Sequence, residues 1–176
     1  VMKELTKRFP HILFEGCASG GNRFDLGILC YFHQIWASDD TDALCRAQMQ
    51  HNYSYGYPLS VVGAHVSNIP NHQTLRKTPI ETRFNVAAFG IFGYELNLVD
   101  IKEEDKKAIK AQIEIYKKYR KTLQFGRFDR GRSFQVFGSN ETVLNQSDGN
   151  LLEWTVVSKD QKEAVGMIMQ KLNIPN

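Results

Sequence analysis

The chain has 176 residues, enough to bury a sizeable core and to form one domain, or two small ones. Its formal net charge of +3 is small and spread along the chain, which argues against a nucleic-acid or membrane partner. The three cysteines, Cys17, Cys30 and Cys45, form no C-x-x-C pair and are odd in number. That speaks against a disulfide framework and, with no signal-peptide-like stretch, for a cytoplasmic protein.

Taken in chain order, Val1 to Arg8 reads as the last turns of a helix, stopped by Pro10. His11 to Gly16 reads as a short strand running into the small residues Ala18, Ser19, Gly20 and Gly21. Gly16 and that run can let a backbone approach a ligand closely, or can be a plain Gly-rich turn. Arg23 to Phe32 is expected to be helical, and Gln34 to Ala37 to be the next strand. Asp39-Asp40-Thr41-Asp42 then opens a helix expected to run to about His51. N-capping explains part of this acidic cluster, because carboxylates accept free helix amides and favour the positive end of the helix. Three carboxylates within four residues should also repel one another and raise at least one pKa. A carboxylic acid held protonated is what general acid catalysis requires.

Leu59 to Val66 is apolar and β-branched, as a strand buried on both faces should be. His65 and His72 are read as hydrogen-bonded histidines and not as metal ligands, since nothing else completes a site; no metal or cofactor is expected. Thr82 to Leu96 reads as a largely apolar helix with Gly90 and Gly93 for close packing. Lys102 to Leu123 is the clearest helix, with Ile109, Ile113, Tyr116 and Leu123 on one face and Lys106, Lys110, Lys117 and Lys121 on the other. Beyond Gly126 the pattern turns to short strands at Ser133 to Phe137, Leu151 to Ser158 and Glu163 to Gln170. Turn signals separate them at Gly138-Ser139-Asn140, Ser147-Asp148-Gly149-Asn150 and Lys159-Asp160-Gln161. A domain boundary is expected near residue 126.

Two segments carry a resemblance. Cys17-Ala18-Ser19-Gly20-Gly21-Asn22-Arg23-Phe24-Asp25, followed by Trp36-Ala37-Ser38-Asp39-Asp40-Thr41-Asp42, resembles the second half of the catalytic barrel of family 36 glycoside hydrolases, the α-galactosidases. The similarity continues through Val62 to Ser67, Asn71 to Thr74 and Arg83 to Ala87, as far as Gly93-Tyr94-Glu95-Leu96. It implies an α/β fold: residues 1–126 as the last strands and helices of a (β/α)₈ TIM barrel, and residues 127–176 as the start of a C-terminal β-sandwich of antiparallel strands. A whole barrel needs about 250 residues, so the chain is expected to be an internal or C-terminal piece of a larger enzyme. Val1-Met2-Lys3 does not read as a natural start, and Leu172 to Asn176 gives no clear stop.

The resemblance further implies retaining hydrolysis of terminal α-D-galactosides by two carboxylates. Asp39 takes the position of the family's acid/base, and Cys17, Ala18, Ser19, Gly20 and Gly21 that of the loop that meets the galactose hydroxyls. Arg23 and Asp25 are expected to hold that loop, and Asn22 stands where many relatives have Gly. The family's nucleophile lies in a Lys-x-Asp motif on an earlier strand. No such motif precedes residue 126, and Lys159-Asp160-Gln161 sits in the β-rich part. The isolated chain is therefore expected to be inactive, and its full-length parent to be a homo-oligomeric α-galactosidase. The competing readings are a raffinose-synthase-like transglycosidase, an α-N-acetylgalactosaminidase, and a non-catalytic sugar-binding or structural module.

Overall fold

The computed structural model describes residues 1–17, 24–131 and 151–171. By packing, the chain divides into two compact units, Val1–Gln112 and Ile113–Asn176, and the division falls inside the longest helix, upstream of residue 126.

The first unit opens with helix α1 (Met2–Arg8) and is built on a parallel sheet of four strands in the order β1 (Glu15–Gly16), β2 (Gln34–Trp36), β3 (Val62–Ser67), β4 (Ile91–Glu95). Helix α2 (Ala43–Tyr53) connects β2 to β3, and α3 (Ile80–Ala87) connects β3 to β4. Parallel neighbours need such crossovers. On β2 and β3 the side chains alternate between two environments. Ile35, Val62, Ala64 and Val66 are buried on the helix-covered face, and each Val or Ile so buried stabilises the fold by about 1.5–3 kcal/mol. Gln50 of α2 is also buried and donates from Nε2 to Val86 O at 3.0 Å, tying α2 to α3. The opposite face faces the cleft described below.

Several expected elements differ. The strand expected over residues 11–16 is only Glu15–Gly16, and the helix expected to end at Phe32 is a single 3₁₀ turn, Ile28–Cys30, whose first amide, Ile28 N, donates to Asp25 Oδ1 at 2.9 Å. Leu59–Val61 is a 3₁₀ turn, so β3 starts three residues later than expected. The helix expected over residues 82–96 is in fact a helix followed by a strand. The helix ends at Ala87, and β4 pairs with β3 from Gly63↔Ile91 to Ser67↔Glu95.

Gly90 is the reason for that break. A Cβ there would lie 2.7 Å from both Ala64 Cβ and Val62 O, so the chain descends onto β3 where only glycine fits. Gly90→Ala should destabilise the fold by about 1–3 kcal/mol through overpacking; an unchanged denaturant midpoint would remove this explanation of the break.

Helix α4 (Glu103–Phe125) matches expectation closely: Ile109 and Leu123 are buried, Lys110, Lys117 and Lys121 are exposed, and Glu103, Glu104 and Asp105 complement the positive end. In the second unit, β5 (Arg127–Arg130), β6 (Leu151–Val157) and β7 (Ala164–Gln170) pair antiparallel in that order. Leu152, Trp154 and Val156 alternate inward with Met167 and Met169. The expected turn at residues 159–161 is present: Asp160 Oδ1 accepts from Ser158 Oγ at 2.6 Å, and Gln161 takes φ 59°. The strand expected over residues 133–137, and the turn signals at 138–140 and 147–150, lie outside the described residues. Among the described residues, no helix is long and apolar enough to cross a membrane.

Candidate active site

The sheet ends at one cleft. The last residues of all four parallel strands, or the residues just after them, reach it: Glu15 and Cys17 from β1, Trp36 and Asp39 from β2, His65 and Ser67 from β3, and Glu95 from β4. Its volume is about 570 Å³.

The acidic cluster after β2 sorts into one carboxylate that faces the cleft and two that build the loop. Asp40 N donates to Ser38 Oγ at 3.1 Å, and Asp40 Oδ1 accepts from Asp42 N at 3.0 Å. Asp42 is the N-cap of α2; its Oδ1 accepts from Leu44 N at 3.0 Å and Cys45 N at 3.1 Å. Its other oxygen, Oδ2, accepts from Thr74 Oγ1 at 2.9 Å, and Arg76 pairs with Oδ1 across the next loop. That loop follows β3, contains the cis peptide Ile69–Pro70, and is also tied back by Asn71, whose Nδ2 donates to Thr41 Oγ1 at 3.2 Å. Asp42 thus joins two strand-end loops.

The expectation that crowding raises a pKa fails at Asp42. Burial does oppose its charge, but the Cys45 amide, the Thr74 hydroxyl, Arg76 and the Leu44 amide outweigh it and hold the carboxyl below its ordinary value of 3.8. The same burial, followed by the Asp40 carboxylate, pushes the Cys45 thiol up to about 11. Cys45 should therefore react far more slowly with a disulfide reagent at pH 8 than the exposed Cys17 and Cys30. Labelling of all three at one rate would contradict this.

Asp39 is different. It is exposed, it lines the cleft, and among the described residues it takes a single hydrogen bond, from Trp36 Nε1 at 2.9 Å. Cys17 lines the same cleft. Ala18, Ser19, Gly20, Gly21, Asn22 and Arg23 lie outside the described residues. Gly16, open to reading as a close approach to ligand or as part of a plain Gly-rich turn, has no room for a side chain: a Cβ there would lie 2.6 Å from Ile35 Cδ1 and 2.7 Å from Phe32.

Nothing in the local sequence marks Trp36, His65 and Glu95 as neighbours, yet strand register places them side by side. Trp36 pairs with Gly63, His65 with Gly93, and Ser67 with Glu95. With alternation, Trp36, His65 and Glu95 all face the cleft side. The two glycines are notches. A Cβ on Gly63 would lie 3.3 Å from the Trp36 ring, and one on Gly93 would lie 3.1 Å from the His65 ring. Each ring therefore leans over a glycine of the next strand, and the two rings meet at 4.7 Å. His65 Nδ1 and Glu95 Oε2 are 3.2 Å apart, so His65 is a hydrogen-bonded histidine, as expected. The Arg46 guanidinium lies over the Trp36 ring at 5.3 Å. Arg46 is 3% exposed, and its Nη2 donates to Gly63 O. Burial lowers it to about 10, which leaves it charged at neutral pH. Among the described residues, no three His, Cys, Asp or Glu side chains form a group able to hold a metal ion.

A polar cleft with an indole-bound carboxylate, outside the carboxyl ends of parallel strands, is the kind of site that α/β enzymes build. Comparison with known proteins then supplies the family. A sequence model of the melibiase family matches residues 1–126. The chain is 46% identical over 165 residues to α-galactosidase AgaA of Geobacillus stearothermophilus, covering 94% of this chain and 21% of that protein. It is 44% identical over 168 residues to α-galactosidase 1 of Pediococcus pentosaceus, covering 96% of this chain and 21% of the relative. Among solved structures, the α-galactosidase of Lactobacillus brevis superimposes with a TM-score of 0.88 at 45% identity, over 99% of this chain and 22% of that one. A variant of AgaA in complex with raffinose gives 0.85 at 42%, over 99% and 23%. The chain belongs to the melibiase family, glycoside hydrolase family 36. It spans about a fifth of the length of these relatives.

Proposed function

We propose that this chain is a section of a retaining α-galactosidase that hydrolyses terminal α-D-galactosides of the melibiose and raffinose type. Asp39 is its acid/base: it protonates the departing glycosidic oxygen and then deprotonates the incoming water. One observation carries the assignment. Of the three carboxylates after β2, Asp40 and Asp42 are consumed in building the loop, whereas Asp39 is presented to the cleft. Cys17 and the loop after it meet the sugar hydroxyls. The nucleophile comes from an earlier strand of the full-length chain.

Among the described residues β1 and β4 have no further strand beside them, which supports the reading of residues 1–126 as part of a barrel, because a closed barrel leaves no edge strand and its remaining strands would pair there. Residues 127–176 begin the β-domain that follows. The parent enzyme is a cytoplasmic homo-oligomer in the same proposal.

The test is the stereochemistry of the first product. Full-length enzyme mixed with melibiose and followed by NMR should release galactose as the α-anomer before mutarotation. Initial release of the β-anomer would refute retention, and no release of galactose would refute the activity itself.

A further inference from the structure

We infer that Trp36 is a positioning residue for Asp39: its indole N–H holds one carboxylate oxygen so that the other is aimed at the scissile bond. This rests on the acid/base reading of Asp39 and deepens it. Asp39 is exposed, on a loop, and among the described residues has one hydrogen-bond donor, Trp36 Nε1 at 2.9 Å on Oδ1. A side chain so placed would otherwise spread over several rotamers, and a misplacement of about 1 Å can cost roughly a hundredfold in rate. Trp36 itself is fixed. The missing Cβ of Gly63 seats its ring, the His65 ring abuts it at 4.7 Å, and the Arg46 guanidinium lies over it at 5.3 Å. His65 is in turn anchored to Glu95 at 3.2 Å. The buttressed indole is rigid, and it passes that rigidity to the carboxyl.

The chemistry follows from the bond. With Oδ1 occupied by the indole, the transferable proton sits on Oδ2. In the first step the Oδ2–H bond breaks, the proton goes to the glycosidic oxygen, that oxygen keeps the electron pair of the cleaved C–O bond, and the nucleophilic carboxylate of the full-length chain forms the new bond to the anomeric carbon. Asp39 becomes a carboxylate, and the Trp36 hydrogen bond becomes charge-assisted, which makes it shorter and stronger. The indole therefore holds the group in place and favours the form that proton transfer produces.

The experiment uses the full-length enzyme and two substrates. Melibiose has a sugar leaving group that needs protonation; 2,4-dinitrophenyl α-galactoside releases a phenolate that does not. The readout is kcat/KM, which covers substrate binding and cleavage of the glycosidic bond but not the later hydrolysis of the glycosyl-enzyme. Trp36→Phe should lower kcat/KM for melibiose by roughly 10- to 100-fold and leave the dinitrophenyl substrate within about threefold. Equal losses on both substrates would mean that Trp36 only supports the fold, and no loss on either would mean that it positions nothing. Both outcomes overturn the inference. Should Trp36→Phe fail to fold, 3-benzothienylalanine at position 36 replaces the N–H by sulfur in a ring of the same shape, and the same two outcomes apply.

Asp39→Asn measured in parallel separates the two readings. If it shows no dependence on the leaving group, the acid/base assignment fails. If it shows that dependence and the position-36 variants do not, only the positioning role fails.

Discussion

Asp39→Asn in the full-length enzyme should lower kcat/KM for melibiose by about 10²–10⁴-fold, the range that general acid catalysis supplies. The amide is close in shape to the carboxyl and can still accept from Trp36 Nε1, so the fold and the cleft should be undisturbed. What it cannot do is give up a proton to the departing sugar oxygen. The loss should shrink towards nothing for kcat/KM on 2,4-dinitrophenyl α-galactoside. Its kcat should still fall, because water attacking the glycosyl-enzyme then has no base. Added azide, a nucleophile that needs no deprotonation, should restore that kcat and yield galactosyl azide. An Asp39→Asn enzyme that hydrolyses melibiose at the normal rate would move the acid/base elsewhere.

The second large effect concerns stability. Asp42→Ala removes the cap of α2, the acceptor for Thr74 and the partner of Arg76 in one step. Asp42 is 2% exposed, so water does not fully replace what is lost. A cap contributes about 1 kcal/mol and a hydrogen bond to a charged group about 1.5–3. The expected loss is about 2–4 kcal/mol, or roughly 5–15 °C in Tm. Asp42→Asn, which keeps an oxygen for the Leu44 and Cys45 amides, should lose less.

The dependence on pH has a definite sign. The folded-state carboxyl titrates below its ordinary value of 3.8, so the folded state favours the ionised form. That contribution is fully present above the ordinary value and is lost as pH falls from there through the lowered folded value. The difference in unfolding free energy between the native protein and Asp42→Ala should therefore be constant at neutral pH and narrow below about pH 4. A difference that grew on acidification would contradict the role given to Asp42.

The sequence alone carried part of this. Helix α4 was legible because its apolar positions recur over about four turns, from Ile109 to Leu123. Strand β6 was legible because Trp154-Thr155-Val156-Val157 is a strongly strand-forming run between turn signals. β4 was not. Residues 82–96 form one apolar run, and such a run does not by itself distinguish a helix from a buried strand. Gly90 and Gly93 suit close helix packing as well as they suit the close approach of strands, and the difference lies in atoms of β3 distant in sequence.

The acidic cluster was legible as a site but not in its division of labour. Which of Asp39, Asp40 and Asp42 is consumed by the loop depends on Thr74 and Arg76, more than thirty residues downstream of Asp42. The grouping of Trp36, His65 and Glu95 is set by register: the three lie about thirty residues apart, and only the pairings Trp36↔Gly63 and His65↔Gly93 bring them together.

Those pairings constrain how the chain can vary. A ring on one strand occupies the volume that a side chain on the next strand gives up, so positions 36 and 63, and positions 65 and 93, form two exchanges of volume. A methyl group gained at 93 must be matched by a smaller group at 65, and the freed space would then let the indole at 36 swing away from Asp39. Substitutions at these four positions should therefore be strongly non-additive. Viable variants should change them in compensating pairs, and a drift that begins on β4, remote in sequence from Asp39, would be felt first as a loosened proton donor.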